Sequence, residues 1–166
     1  MSALAELLRA EGGLLGELVR ADAPQSPLLA RLAGSGPRAQ PDHELVVAAI
    51  YEGYLLHYAA EAATLHCEDR DLALLAGDRL YALGLERLVA LGDVEAVLEL
   101  ADVISLSALA HAREDAQLAG AVWEAGAVAV GWGSTPEHRH AKSLAWAGDI
   151  AASAAMRASC ERPRYS

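Results

Sequence analysis

Residues 72–110 read LALLAGDRLYALGLERLVALGDVEAVLELADVISLSALA, a Leu- and Ala-rich run that carries two Gly-Asp pairs, at 77–78 and 92–93. Apolar residues three and four apart over such a length specify helix. Gly92 supplies a helix stop and Asp93 an N-cap that restarts it, so two long helices meet at a tight corner and are expected to pack antiparallel. On a 3.6-residue wheel Arg79, Glu86 and Arg87 share a solvated arc, whereas Asp78 falls in line with Leu74, Ala82, Leu85 and Val89. This places a carboxylate on the core side, where it must be hydrogen-bonded, paired or part of a polar site.

The rest of the chain predicts helices around this pair. Its 166 residues suit one domain with a short arm, and the abundance of Ala and Leu with no Phe favours an all-α fold, an antiparallel helical bundle. Residues 2–20 form an amphipathic helix with Leu4, Leu7, Leu8, Leu15 and Leu18 on one side, weakened at Gly12 and Gly13. A short turn over 27–32 and a Gly/Pro loop over 34–41 complete an N-terminal arm, residues 1–41. Asp42 is the expected N-cap of a helix reaching His66, with Val46, Ala49, Ile50, Gly53, Leu56, Ala60 and Ala63 on its core face. Asp69 or Asp71 caps the central pair. An Ala-rich helix then runs to Trp132, Thr135 and Pro136 open the last helix, and that helix ends near Cys160. The bundle domain is thus 42–160, and Pro163 stops any helix before a polar tail over 161–166.

Charge narrows the functional classes. Thirteen basic residues against 23 acidic give −10, with no dense basic patch, which argues against a nucleic-acid partner. Cys67 and Cys160 lack metal-ligand spacing and nothing at the start reads as a signal peptide, so a cytoplasmic location with free thiols is expected. The apolar stretch 116–133 contains Gln117 and Glu124 and reads as a buried helix, with no membrane span; any membrane association would be peripheral, through products.

Two sets of residues carry a family resemblance. Leu74-Leu75-Ala76-Gly77-Asp78-Arg79-Leu80-Tyr81-Ala82 followed by the Gly92-Asp93 turn resembles the helix pair after the first aspartate-rich motif of trans-isoprenyl diphosphate synthases. Upstream, in the His-Asp-Asp-x-x-Asp motif of that family, this sequence keeps the His as His57 but has Tyr58, Ala59 and Ala62 at the aspartate positions, with Glu61 the lone carboxylate nearby; near the end, after Gly148, Met156 stands where the family has Gln, and Ser159 and Cys160 occupy the second aspartate positions. The resemblance spans residues 44–160 and implies a shortened isoprenoid synthase fold without magnesium ligands, since magnesium on a diphosphate needs several hard oxygen donors. It implies a relative of the small noncatalytic subunits of heteromeric hexaprenyl or heptaprenyl diphosphate synthases. Such a subunit has no catalytic residues and binds no cofactor; magnesium is expected only on a catalytic partner, and the pair makes prenyl chains for quinones such as menaquinone. Tyr54, Leu55, Tyr58, Asp78 and Tyr81 are then the candidates for tunnel or interface contacts.

Two other functions stay open. The bundle could be a repurposed accessory or assembly subunit of a larger complex with an apolar groove for a lipid or quinone tail, or, least favoured, a self-sufficient enzyme using Asp78 and Glu61. A transition-metal site at His57, Glu61, His66, Cys67, Glu68 and Asp69 is less favoured than a solvated helix end. Glu52, Glu61, Glu95 and Glu99 lack the Glu-x-x-His register of a di-iron bundle.

Overall fold

The computed structural model describes residues 1–161; the expected stop at Pro163 and most of the tail lie outside the described residues. Among those described, the chain is all helix apart from loops and one isolated bridge between Val19 and Leu65. In order these are α1 (Ala3–Glu11), α2 (Gly13–Glu17), α3 (Leu28–Ser35), α4 (His43–Tyr58), α5 (Arg70–Leu91), α6 (Val94–Ala112), α7 (Ala116–Trp132), α8 (Pro136–Ala147) and α9 (Ala152–Ser159).

Local signals set most boundaries. Asp69, Asp93, Asp115 and Thr135 each accept the backbone N–H three residues on, at 2.8 to 3.1 Å. These bonds satisfy donors that a bare helix start leaves open. Gly92, at φ +72°, closes α5 in the left-handed region and makes the expected corner.

Several expectations need correction. The first helix breaks at Gly12 and Gly13 into α1 and α2, and the last breaks at Gly148 into α8 and α9. Asp42 makes no side-chain cap; its carboxylate pairs with Arg87 at 3.3 Å. The helix expected to reach His66 ends at Tyr58, so Ala60 is exposed in the following loop, while Val46, Ala49, Ile50, Gly53 and Leu56 are buried as expected. The α3 helix is no loose appendage: Ala30 and Ala33 are buried, and it packs on α4 and α7.

The main packing partners are α4 with α5 and α6 with α7. Beyond their corner α5 and α6 touch little, so the antiparallel neighbour of α5 is α4, with Gly53 beside Gly77, Ile50 beside Gly84 and Asp42 beside Arg87. A Cβ on Gly84 would lie 2.5 Å from Ile50 Cγ1, a measure of how closely the two helices approach. The face of α5 buried there is Ala73, Ala76, Gly77, Leu80, Leu83, Gly84 and Leu88. The face through Asp78 is therefore not the core face. Asp78 is exposed, and Val89 in line with it is 67% exposed.

The apolar stretch 116–133 is the innermost helix. On α7 all but a few positions are buried, including Trp123, beneath α3, α6 and α9. A helix apolar on every side belongs inside. No helix among the described residues is long and apolar enough to cross a membrane.

Candidate functional site

Five of the sequence-predicted site residues, Tyr54, His57, Tyr58, Asp78 and Tyr81, meet where α4 ends against α5. Gly77 has no side chain there, and a Cβ would stand 2.7 Å from His57 Cδ2 and 2.8 Å from its Nε2, so the imidazole approaches the α5 backbone as closely as only a glycine allows. It stacks on Tyr81 with ring centroids 5.3 Å apart and planes 2° apart, and its Nε2 is 3.0 Å from Asp78 Oδ1. One turn away the Tyr54 hydroxyl shares a 2.8 Å hydrogen bond with His111 Nε2 at the end of α6. Tyr58 stacks on the same imidazole at 4.2 Å and 3°. Beneath them Trp123 meets the edges of Tyr51 and Tyr54 at 4.9 and 5.2 Å. Burial raises the hydroxyl pKa values of Tyr51, Tyr54 and Tyr81, helped for Tyr81 by Tyr58, Asp78 and Tyr54, so all three stay protonated at neutral pH.

The end of α4 is fixed by Arg70, which donates to the carbonyls of Leu56 at 2.8 Å and His57 at 2.5 Å. These carbonyls have no helical partner, and a guanidinium is a suitable donor for them. Leu55 faces the other way, into a cleft of about 520 Å³ shared with Leu65, His66, Cys67 and Arg70.

The degenerate motif positions are split between two places. His57 and Tyr58 belong to the aromatic cluster, while Ala59, Glu61 and Ala62 lie in the loop after it, with Glu61 exposed. Ser159 and Cys160 sit at the end of α9, where Ser159 Oγ donates to the Met156 carbonyl at 2.6 Å and lies 3.4 Å from His138 Nδ1. Cys160 Sγ lies 3.5 Å from the same carbonyl. The fold at Gly148 returns α9 along α8 and leaves Ser159 beside the first half of α6, whereas His57 and Tyr58 stand beside its far end. Among the described residues no group of three or more His, Cys, Asp or Glu side chains is placed to hold a metal ion, including the His57 to Asp69 set considered from sequence.

Two polar arrangements escaped the sequence reading as sites. Glu52, buried in α4, accepts the N–H groups of Ala63, Thr64 and Leu65 and pins the loop that α4 was expected to fill. Burial pushes its carboxyl pKa up, against the pull of those three donors. Glu99, buried in α6, lies 2.6 Å from His138 Nε2 and 2.9 Å from Lys142 Nζ, and Lys142 also reaches Asp102 at 2.7 Å. Burial works against charge on Glu99, yet His138 and Lys142 together hold its carboxyl below the usual range. Burial likewise opposes charge on Lys142, and Asp102 and Glu99 hold its ammonium above the usual value. A signal existed for both: Glu52 stands between Ala49 and Leu56, and Glu99 between Ala96 and Val103, on otherwise apolar stripes. A cleft of about 640 Å³ opens beside Lys142, but its charges are largely matched, Arg38 by Glu95 and Lys142 by Glu99.

No protein-family model, no curated protein and no solved structure matches this chain. Fold and site together define the class as an all-α bundle with an aromatic and imidazole cluster at one end. Its interior charges are tied up in structural contacts.

Proposed function

We propose that the chain is a noncatalytic subunit of a heteromeric polyprenyl diphosphate synthase, one that pairs with a magnesium-dependent catalytic chain and helps set the length of prenyl chains destined for quinones. The observation that carries this reading is that α5, the helix bearing the Ala76-Gly77-Asp78 element, buries one face against α4 and leaves Leu75 and Val89, on the opposite side, each 67% exposed. A helix of that kind is built for assembly. The loss of acidic side chains at Tyr58, Ala59, Ala62, Ser159 and Cys160 supports the noncatalytic part of the reading.

In this role the chain contributes shape rather than chemistry. The stacked rings of His57, Tyr58, Tyr81 and His111 form a stiff end wall, and Tyr58, 41% exposed, is positioned to touch a partner. The test is direct. The purified chain with farnesyl diphosphate, isopentenyl diphosphate and magnesium yields no product, whereas coexpression with an aspartate-bearing synthase chain from the same genome yields a stable complex whose product length differs from that of the partner alone. A partner equally active by itself, with the same product, would sink the proposal.

A second reading, an accessory subunit with a groove for a lipid or quinone tail, is favoured by a largely apolar cleft of about 370 Å³ between α1–α2 and α5. Leu8, Leu14, Leu15, Leu72 and Leu75 line it. Organic extraction of the natively purified chain, followed by mass spectrometry, distinguishes this reading by a stoichiometric isoprenoid or acyl lipid.

A further inference from the structure

The outward side of α5 has a period of its own. Asp71, Leu75, Asp78, Ala82, Leu85 and Val89 follow one another at alternating steps of four and three, the heptad spacing of a helix seam. It occupies one straight stripe about 27 Å long at 1.5 Å per residue. Leu75 and Val89 are each 67% exposed, with Leu75 also at the rim of the α1–α2 cleft; Asp71 and Asp78 are exposed, Ala82 is half-buried, and Leu85 is half-buried against the core. Beyond the corner α6 adds Val94 and Leu98, both more than 60% exposed. A stripe of this length and period matches a second helix better than it matches water.

Charge decides what kind of helix. Arg79 is paired with Glu86 and Arg38 with Glu95, so the neighbouring charges are matched within the chain. Among the described residues Asp78 has only the His57 imidazole, on one oxygen, and Asp71 stands in the first turn of α5. Two carboxylates one heptad apart thus stand in the seam itself. A second copy docked in parallel would set these carboxylates against their own kind; docked antiparallel, it would press Asp78 on Ala82 and Asp71 on Val89 without a cation. Either way, two chains of charge −10 are brought together. An anionic lipid surface fares no better.

The geometry points to this stripe as the docking seam for a partner helix that carries apolar residues at heptad spacing and a Lys or Arg opposite Asp78 and opposite Asp71. His57, close against Gly77 and stacked on Tyr81, holds one Asp78 oxygen and leaves the other for that contact. The choice of a catalytic synthase chain as first partner rests on the function proposed above, but the seam and its charge pattern do not.

The experiment uses the full chain in complex with the aspartate-bearing synthase chain of its own genome. Asp78→Asn keeps a hydrogen-bond acceptor for His57 and removes the charge; it should raise Kd about tenfold and reduce the salt dependence of binding. Val89→Asp should raise Kd about thirtyfold or more. Ile150→Asp, at a fully exposed position on the α8–α9 turn, should change nothing. A complex that forms but ignores Asp78→Asn and Val89→Asp overturns the seam and leaves the proposed function standing. If no complex forms, that function fails and the seam is judged separately, by a photo-crosslinking residue at position 89 in cells of the native host. Crosslinks to a helix with a basic residue in register, reduced severalfold by Asp78→Asn, support it. Crosslinks to a second copy, to lipid or to nothing overturn it, as does a dimer of the isolated chain that Val89→Asp dissolves.

Discussion

Glu52, in the middle of α4, accepts the backbone N–H of Thr64 at 2.6 Å across twelve residues of chain. With the N–H groups of Leu65 at 2.7 Å and Ala63 at 3.2 Å, this one carboxylate satisfies three donors in a loop that has no ladder of its own. The loop then pairs with the N-terminal arm, through Arg20 N–H to the Thr64 carbonyl and His66 N–H to the Leu18 carbonyl, both 2.9 Å. Glu52 thereby ties the loop to α4, and the loop's backbone ties in turn to the arm at Leu18 and Arg20.

Glu52→Ala leaves these buried donors without a partner and should cost about 3 kcal/mol. Hydrogen exchange at Ala63, Thr64 and Leu65 should speed up more than exchange in α7. A urea titration with exchange-detected NMR measures both, and unchanged protection at the three amides would contradict the assignment.

The buried set around Glu99 predicts a sign for acid denaturation. Because the folded carboxyl sits below its ordinary value of 4.5, its stabilisation is complete above that pH and is lost as pH falls through the folded value. Glu99→Gln should flatten the fall in urea midpoint below pH 4.5 and lower stability at neutral pH. Lys142→Ala leaves the buried Glu99 carboxylate with the His138 imidazole as its remaining hydrogen-bond partner and should cost about 3 kcal/mol.

Gly84→Ala separates helix propensity from packing. Propensity alone favours Ala by about 1 kcal/mol. The added Cβ would lie 2.5 Å from Ile50 Cγ1 and 3.3 Å from the Val46 carbonyl, so the variant should instead lose about 1–3 kcal/mol, read as a lower Tm in calorimetry. A raised Tm would show that α4 and α5 are less tightly joined.

Val89→Ser and Leu98→Ser should leave the stability of the isolated chain within about 0.5 kcal/mol, because both side chains stand mostly in solvent. A loss of several kcal/mol in either, by urea unfolding, would mean that the stripe is already covered inside this chain.

The caps at Asp93 and Thr135, one of the two offered at Asp69 and Asp71, and the stop at Gly92 were legible because each acts within one helical turn, through bonds to its own neighbouring backbone, whereas the cap at Asp115 escaped the sequence reading. The early end of α4 was not legible, since the groups that outweigh further helix are Glu52 with Thr64 and Arg70 with the carbonyls of Leu56 and His57, contacts made across a loop. The break at Gly148 did carry a local signal, a Gly ahead of Asp149, whose Oδ1 accepts the Ala151 N–H at 2.8 Å.

The sequence by itself determined that this chain is helical, where most helices begin and that α7 is buried, because composition, capping and all-round apolarity are properties of the local chain. It could not determine which side of α5 is the inside, for that helix has two apolar faces of equal period. Only the tertiary structure decided: the glycines at 53, 77 and 84 let α4 approach the Ala/Gly face closely enough to gain dense contact, while the face with Asp78 would have buried a carboxylate without a cation.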